Sequence, residues 1–218
     1  MMIAFTNTKG GVGKSTLACH LAIWLYDQGR SVAVLDTDAQ GTAAEWLRNA
    51  EPNIKVVSAA DSDAIQQARN ELAATHEFVI ADAPGEEGEA ANAVTMLADL
   101  AILPLQPTKP DVRALKDALK TVRLAHAVTQ GKRPEVVLVL NCVRKKSIRS
   151  STLRRQLGSL GLRIAECEVR RLDALADSCD SAVTREKTPK AKEAAADIEA
   201  LFLELFAAHL SHPGVANG

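Results

Sequence analysis

Ten residues near the amino terminus, Asn7-Thr8-Lys9-Gly10-Gly11-Val12-Gly13-Lys14-Ser15-Thr16, have the types and spacing that hold a phosphate chain. Gly10, Gly11 and Gly13 let the backbone curl so that consecutive N–H groups point at phosphate oxygens. Lys14 can reach β- and γ-phosphates, and the Ser15 hydroxyl, followed by Thr16, is placed to sit on Mg²⁺. Met2-Ile3-Ala4-Phe5 before the loop reads as a buried strand, and Leu17 to Leu25 after it as a helix whose N-terminus adds partial positive charge. Strand, glycine turn, Lys-Ser and helix together form the setting that a phosphate loop needs.

Two carboxylates stand at the ends of further apolar runs. Ser31-Val32-Ala33-Val34-Leu35 leads into Asp36-Thr37-Asp38, and Phe78-Val79-Ile80-Ala81 leads into Asp82-Ala83-Pro84-Gly85. In open α/β sheets ligands bind outside the carboxyl ends of the strands, so these segments and the glycine loop converge on one site. Each Asp taken alone reads equally as a solvated strand end or a helix cap. Other strands are predicted at 54–57, 100–105, 136–141 and 162–167. Helices are predicted around 42–48, at 64–74 behind an Asp61 cap, at 112–128, at 152–160 and at 190–210.

Continuous apolar strands alternating with helices predict an α/β fold: one domain, a mostly parallel doubly wound sheet, helices on both faces, of the P-loop type. The 218 residues suit a single domain over 1–210, with a flexible tail at 211–218. Aromatics make up only 3%, so the core must be built from Ala, Val, Leu and Ile. Cys19, Cys142, Cys167 and Cys179 are scattered without C-x-x-C pairing, which argues against a disulfide frame or a zinc site. No apolar run approaches the roughly 20 residues of a membrane span. Net charge is −1, yet the stretch from Asn141 to Arg171 holds nine basic residues against two acids. Such an excess points to a polyanionic partner, with Arg144, Lys145, Lys146, Arg149, Arg154, Arg155, Arg170 and Arg171 as candidate DNA contacts; the alternative is a solvated helix face.

The loop departs from G-x-x-x-x-G-K-[ST] in carrying Thr8 where glycine is expected, and reads K-G-G-x-G-K-[ST] with a second lysine, Lys9. This resembles the deviant Walker A motif of the ParA/MinD family of ATPases, and the likeness extends over most of the chain. The resemblance implies a weak ATPase that uses ATP and Mg²⁺ and forms a sandwich homodimer in which Lys9 crosses to the other subunit's nucleotide. It implies nucleotide contacts from Lys9 through Thr16 and catalytic roles for Lys9, Lys14 and Asp38, with Asp38 orienting the attacking water. Mg²⁺ would be held by Ser15, with Asp82 and Asp36 acting through water, and Pro84-Gly85 would sense the γ-phosphate. Asn141 matches where the family sets an Asn against adenine, although it also reads as a cap. Pro110 and Asp111 match a proline-containing loop near nucleotide and dimer interface; a plain turn with an Asp-capped helix describes that segment equally well.

In such a cycle the ATP dimer binds nonspecific DNA, and an adaptor (ParB-like or cargo-specific) stimulates hydrolysis. A cytoplasmic, nucleoid-associated protein that segregates plasmid or chromosomal DNA follows, or one that positions a protein cargo such as carboxysomes. A MinD-like membrane cycle needs a basic amphipathic C-terminal helix. Here the helix carries Asp197, Glu199 and Glu204, so it is expected to pack on the domain, with no stable membrane association. A cluster-bearing reductase or amidoligase, and a scaffold that binds nucleotide without hydrolysis, are the remaining alternatives.

Overall fold

Strand residues alternate between two covered layers, which is why the strands carry no polar alternation. Ile3 and Phe5 enter one layer while Met2 and Ala4 enter the other. The structure, a computed structural model, describes residues 1–144, 148–158 and 161–210, with backbone alone at 148 and 149. Its strands are β1 (Met2–Phe5), β2 (Val32–Asp36), β3 (Lys55–Ser58), β4 (Phe78–Asp82), β5 (Leu100–Leu105), β6 (Glu135–Leu140) and β7 (Arg163–Ile164). They pair in the order β3-β2-β4-β1-β5-β6-β7, every pair parallel. The order reverses about β1, so the crevice lies at the carboxyl ends of β1, β4 and β5, where the phosphate loop begins.

The helices are α1 (Lys14–Asp27), α2 (Thr42–Ala50), α3 (Ser62–Thr75), α4 (Glu89–Leu97), α5 (Lys109–Thr129), α6 (Ile148–Gly158), α7 (Asp173–Ala176) and α8 (Pro189–Leu210). α1, α2 and α8 cover one face, where Trp24 and Phe202 meet with ring centroids 5.5 Å apart. α3 and α4 cover β1 to β4 on the other face, and α5 and α6 cover β5 and β6. α1 is buried without interruption from Leu17 to Leu25, because sheet, α2 and α8 surround it. α8 buries Ile198, Leu201, Phe202, Leu205 and Phe206, the stripe that a membrane-lying helix would have needed. Among the described residues no helix is long and apolar enough to cross a membrane.

Asp61 caps α3 as its sequence predicts, accepting the Ala64 N–H at 2.8 Å, a contact worth about 1 kcal/mol. Four helices differ from the sequence expectation. α4 and the short α7 are additional; α4 is rich in Ala and follows a Gly-Glu run, so its helical period is faint. α5 starts at Lys109, with Thr108 rather than Asp111 as its cap; Asp111 lies inside the first turn. α6 ends at Gly158, and Leu160 falls outside the described residues, as does the tail 211–218.

His20, fully buried in α1, bonds the Thr16 carbonyl through Nδ1 (2.7 Å) and accepts the Val183 N–H at Nε2 (3.2 Å). Both bonds require the neutral ring with its proton on Nδ1. Burial pushes its pKa from 6.5 down to about 4. The unfolded chain therefore takes up the proton first: the stabilisation is complete above about pH 6.5 and is lost as pH falls towards 4. We expect the stability gap between the native chain and His20→Gln, measured by urea unfolding, to shrink by about 2 kcal/mol from pH 7.5 to 5. A gap independent of pH would mean that His20 is not held neutral.

Candidate functional site

β1 runs out into Thr6 and Asn7, both buried, and the chain turns through Gly13 into α1. The turn is held by side chains from neighbouring strand ends. Asn7 Nδ2 donates to the Pro104 carbonyl at 2.8 Å, and its Oδ1 accepts the Lys9 N–H at 3.1 Å. Gln106, just past β5, donates to the Gly11 carbonyl at 2.9 Å; Asn141, just past β6, donates to the Val12 carbonyl at 2.7 Å. Gly13 has φ 95°, and a Cβ there would stand 2.1 Å from Asn141 Nδ2, so both backbone and space demand glycine. The first-turn N–H groups of α1 lack intrahelical acceptors, and no acidic side chain occupies that turn. An anion is the partner such an end favours.

Around the turn the structure gathers the residues singled out from the sequence. Lys14 is buried, its Nζ 3.3 Å from the Lys9 carbonyl. Burial lowers its pKa, while Asp82 and Asp38 pull it back. Asp82 is fully buried, and neither carboxylate oxygen has a hydrogen-bond partner. Burial pushes its pKa up to about 7, against the pull of the nearby Ser15 hydroxyl and with Asp36 adding to the rise. Asp36 is occupied differently: Oδ1 accepts the Asp38 N–H at 3.1 Å and Oδ2 the Ala44 N–H at 2.8 Å, tying β2 to α2. Asp38 is only half-buried and opens onto the cavity. Pro84 and Gly85 leave β4 across the loop, where a Cβ on Gly85 would lie 3.1 Å from Gly10 Cα and 3.4 Å from Lys14 Nζ.

Lys14, Ser15, Asp38, Pro84 and Gly85, but neither Asp36 nor Asp82, line a cavity of about 760 Å³ that runs from the glycine turn past Asn141 to Arg171, Leu172 and Leu175. That volume accommodates a mononucleotide, with its phosphates at the α1 end. The donor set also fits a divalent cation. An orphaned buried carboxylate beside a hydroxyl lacks the charge and water donors that a hydrated Mg²⁺ brings. Among the described residues no group of three or more His, Cys, Asp or Glu side chains could by itself hold a metal ion.

Lys9 turns away from this cavity. Its Nζ lies 2.7 Å from Asp111 Oδ2, and Asp111, fully buried, also takes the Thr108 hydroxyl and the Gln106 N–H. Pro110 sits exposed in the same turn of α5. Sequence reasoning missed Gln106 and Asn7 as braces and the 169–172 segment as cavity wall. For Gln106 the signal was available: it stands at the carboxyl end of a predicted strand.

The basic residues of 141–171 have different surroundings. Arg170 is bound bidentately by Asp197 and also meets Glu193, both from α8. Arg154 donates to the Ala165 carbonyl at 2.8 Å and pairs with Glu168. Both guanidinium groups thus act as clamps within the chain. Arg171 borders the nucleotide-sized cavity, while Arg144 and Arg155 are exposed. Lys145, Lys146 and the side chain of Arg149 lie outside the described residues. The acids that meet Arg170 stand on α8, 23 and 27 residues further along the chain, where a local charge count does not include them.

We expect Gly13→Ala to lower nucleotide affinity by at least about 100-fold in a fluorescent-nucleotide titration, since the Cβ must displace the Asn141 brace in a strained backbone. Native affinity in that variant would mean the turn is not the phosphate cradle.

The sequence profile of the CobQ/CobB/MinD/ParA nucleotide binding domain matches residues 3–183. "Maintenance of carboxysome distribution protein A" of Halothiobacillus neapolitanus is 26% identical over 175 residues, 78% of this chain and 79% of that protein. Protein ParA of Rhizobium radiobacter is 26% identical over 138 residues, 58% of this chain and 62% of that one. Other curated relatives are matched over about half of their own length. The MinD–MinC cell division complex of Aquifex aeolicus superposes with a TM-score of 0.71 at 16% identity, covering 94% of this chain and 95% of that one. With the phosphate turn, the strand-end carboxylates and the all-parallel sheet, this match over most of its length makes the chain a member of the CobQ/CobB/MinD/ParA nucleotide-binding family.

Proposed function

We propose that the protein is an ATP-hydrolysing positioning protein whose ATP-bound sandwich dimer binds nonspecific DNA. An adaptor, ParB-like or specific to the cargo, stimulates hydrolysis and so releases the dimer. The observation that carries this reading is the attitude of Lys9. It belongs to the phosphate loop, yet its ammonium is drawn out of its own cavity onto Asp111, so its charge serves a neighbouring nucleotide better than its own. A cation supplied from a second subunit stabilises charge in the phosphoryl-transfer transition state in the manner of an arginine finger.

In this cycle residues 10–16 cradle the phosphates and Lys14 faces their oxygens. Ser15 and Asp82 hold Mg²⁺, with Asp36 behind them, and the ion neutralises phosphate charge when bound. Asp38, the strand-end carboxylate that remains open to solvent, orients the attacking water. Gly85, packed on Gly10 and Lys14, reports the γ-phosphate to the segment that follows. Asn141 braces the turn and borders the base end of the cavity. The cargo is plasmid or chromosomal DNA in a partition system, which makes the protein cytoplasmic and nucleoid-associated. A protein cargo of the carboxysome kind is the second reading, favoured by the 78% coverage of this chain in the match to a carboxysome distribution protein. A membrane cycle is disfavoured because the apolar stripe of α8 is already in the core.

Lys9→Ala should abolish ATP-dependent dimerisation and hydrolysis while keeping nucleotide binding within about tenfold of native, read by light scattering and a phosphate-release assay. Normal dimerisation of that variant with ATP would end the sandwich mechanism. Asp38→Ala should instead accumulate as an ATP-bound dimer on duplex DNA, with turnover reduced by about 100-fold or more. Rapid turnover would remove Asp38 from the catalytic role.

A further inference from the structure

The outward face of α5 carries Lys109, Arg113, Lys116, Lys120 and Arg123, spaced by four, three, four and three residues. At about 100° per residue the five fall within an arc of roughly 80°, opposite the Leu115, Ala118 and Val122 face that enters the core. All five are exposed. Lys120 pairs with Asp117 at 2.6 Å, while the other four have no carboxylate within ion-pair distance among the described residues. The other acid of the helix, Asp111, is buried against Lys9. The result is a line of positive charge about 21 Å long. Lys109, Arg113 and Lys116 also form one wall of a groove of about 770 Å³, whose far wall is Thr152, Leu153 and Gln156 of α6.

We infer that the α5 stripe, with the groove beside it, is the surface on which duplex DNA lays its phosphate backbone. The inference rests on the DNA-binding reading above and moves the contact surface away from residues 141–171. Five cations over about 21 Å face about six phosphates of one strand, which presents one charge per roughly 3.4 Å of axis. Cations in a row without an interleaved aromatic side chain suit contacts to phosphates, which carry no sequence information. A lipid surface fits less well. An interfacial helix presents apolar residues to the bilayer along its length, but α5 buries its apolar face, and its exposed Leu124 and Val128 stand only at the C-terminal end. The stripe begins in the same turn as Asp111, which holds the phosphate-loop lysine, so surface and nucleotide site share one rigid element.

The test compares the full chain with R113A/K116A/K120A and with the control R144A/R155A, using anisotropy of a labelled mixed-sequence duplex with Mg-ATP, Mg-ADP or no nucleotide, across a salt series. A fluorescent ATP titration runs in parallel, and native affinity there certifies that each variant is folded. The triple variant should lose at least about 30-fold in DNA affinity and flatten the log–log salt slope by two to three, roughly one per phosphate contact, while the control changes less than about threefold. Native-like DNA binding by the triple variant overturns the α5 assignment and leaves the DNA reading standing. Binding that is lost in the triple variant but indifferent to nucleotide supports the surface and overturns the ATP switch. If the native chain binds no duplex but binds vesicles containing anionic lipid through these residues, both the surface assignment to DNA and the DNA reading fail.

Discussion

A phosphate cradle made of backbone has to be held by something other than its own side chains, and here that requirement organises the carboxyl edge of the sheet. Glycines supply the turn but no anchoring groups. Three amide side chains at three strand ends supply them instead: Asn7 beyond β1, Gln106 beyond β5 and Asn141 beyond β6. Two of these take loop carbonyls, and Asn7 fixes the loop's entry to β5. The order of the sheet, with β1 between β4 and β5 and β6 one strand further, is what brings these amides around one turn. Gly85 adds contact from β4, so movement there is felt at Gly10 and Lys14.

Electrostatics in the crevice follow from burial on that frame. Asp82 has no hydrogen-bond partner for either oxygen and its pKa is driven up to about 7, whereas the equally hidden Asp36 is satisfied by two backbone N–H groups. Two strand-end carboxylates of identical type thus have different work. Asp36 fastens the start of α2, and Asp82 is left without a partner for either oxygen. Lys14, stripped of water in the same pocket, is poised for charge that a nucleotide brings with it.

Outside the crevice, charges that are close in sequence are neutralised by charges that are distant. Asp197, Glu193 and Glu204 of α8 bind Arg170 and the backbone of residues 166 and 167, locking the last helix over β7 and the cavity wall. These acids make α8 a structural strap. Among the described residues the basic side chains of α5 meet no such ion pair, apart from Asp117 against Lys120, and remain a charged face.

The sequence by itself determined the phosphate turn, the strands that lead to Asp36 and Asp82, the single α/β domain and the Asp61 cap, because each rests on contiguous residues or on a short-range period. The stripe on α5 was equally present as a four-three spacing, but its meaning depended on which face of the helix the sheet would cover. Tertiary structure alone decided which arginines stay available, since ion pairs form between residues dozens of positions apart. It alone set Lys9 on Asp111 rather than in its own cavity, 102 residues away along the chain. It also decided the braces of the loop: an Asn or Gln after a strand has no preferred partner until parallel pairing fixes its register, and only then do its amide protons meet a particular carbonyl.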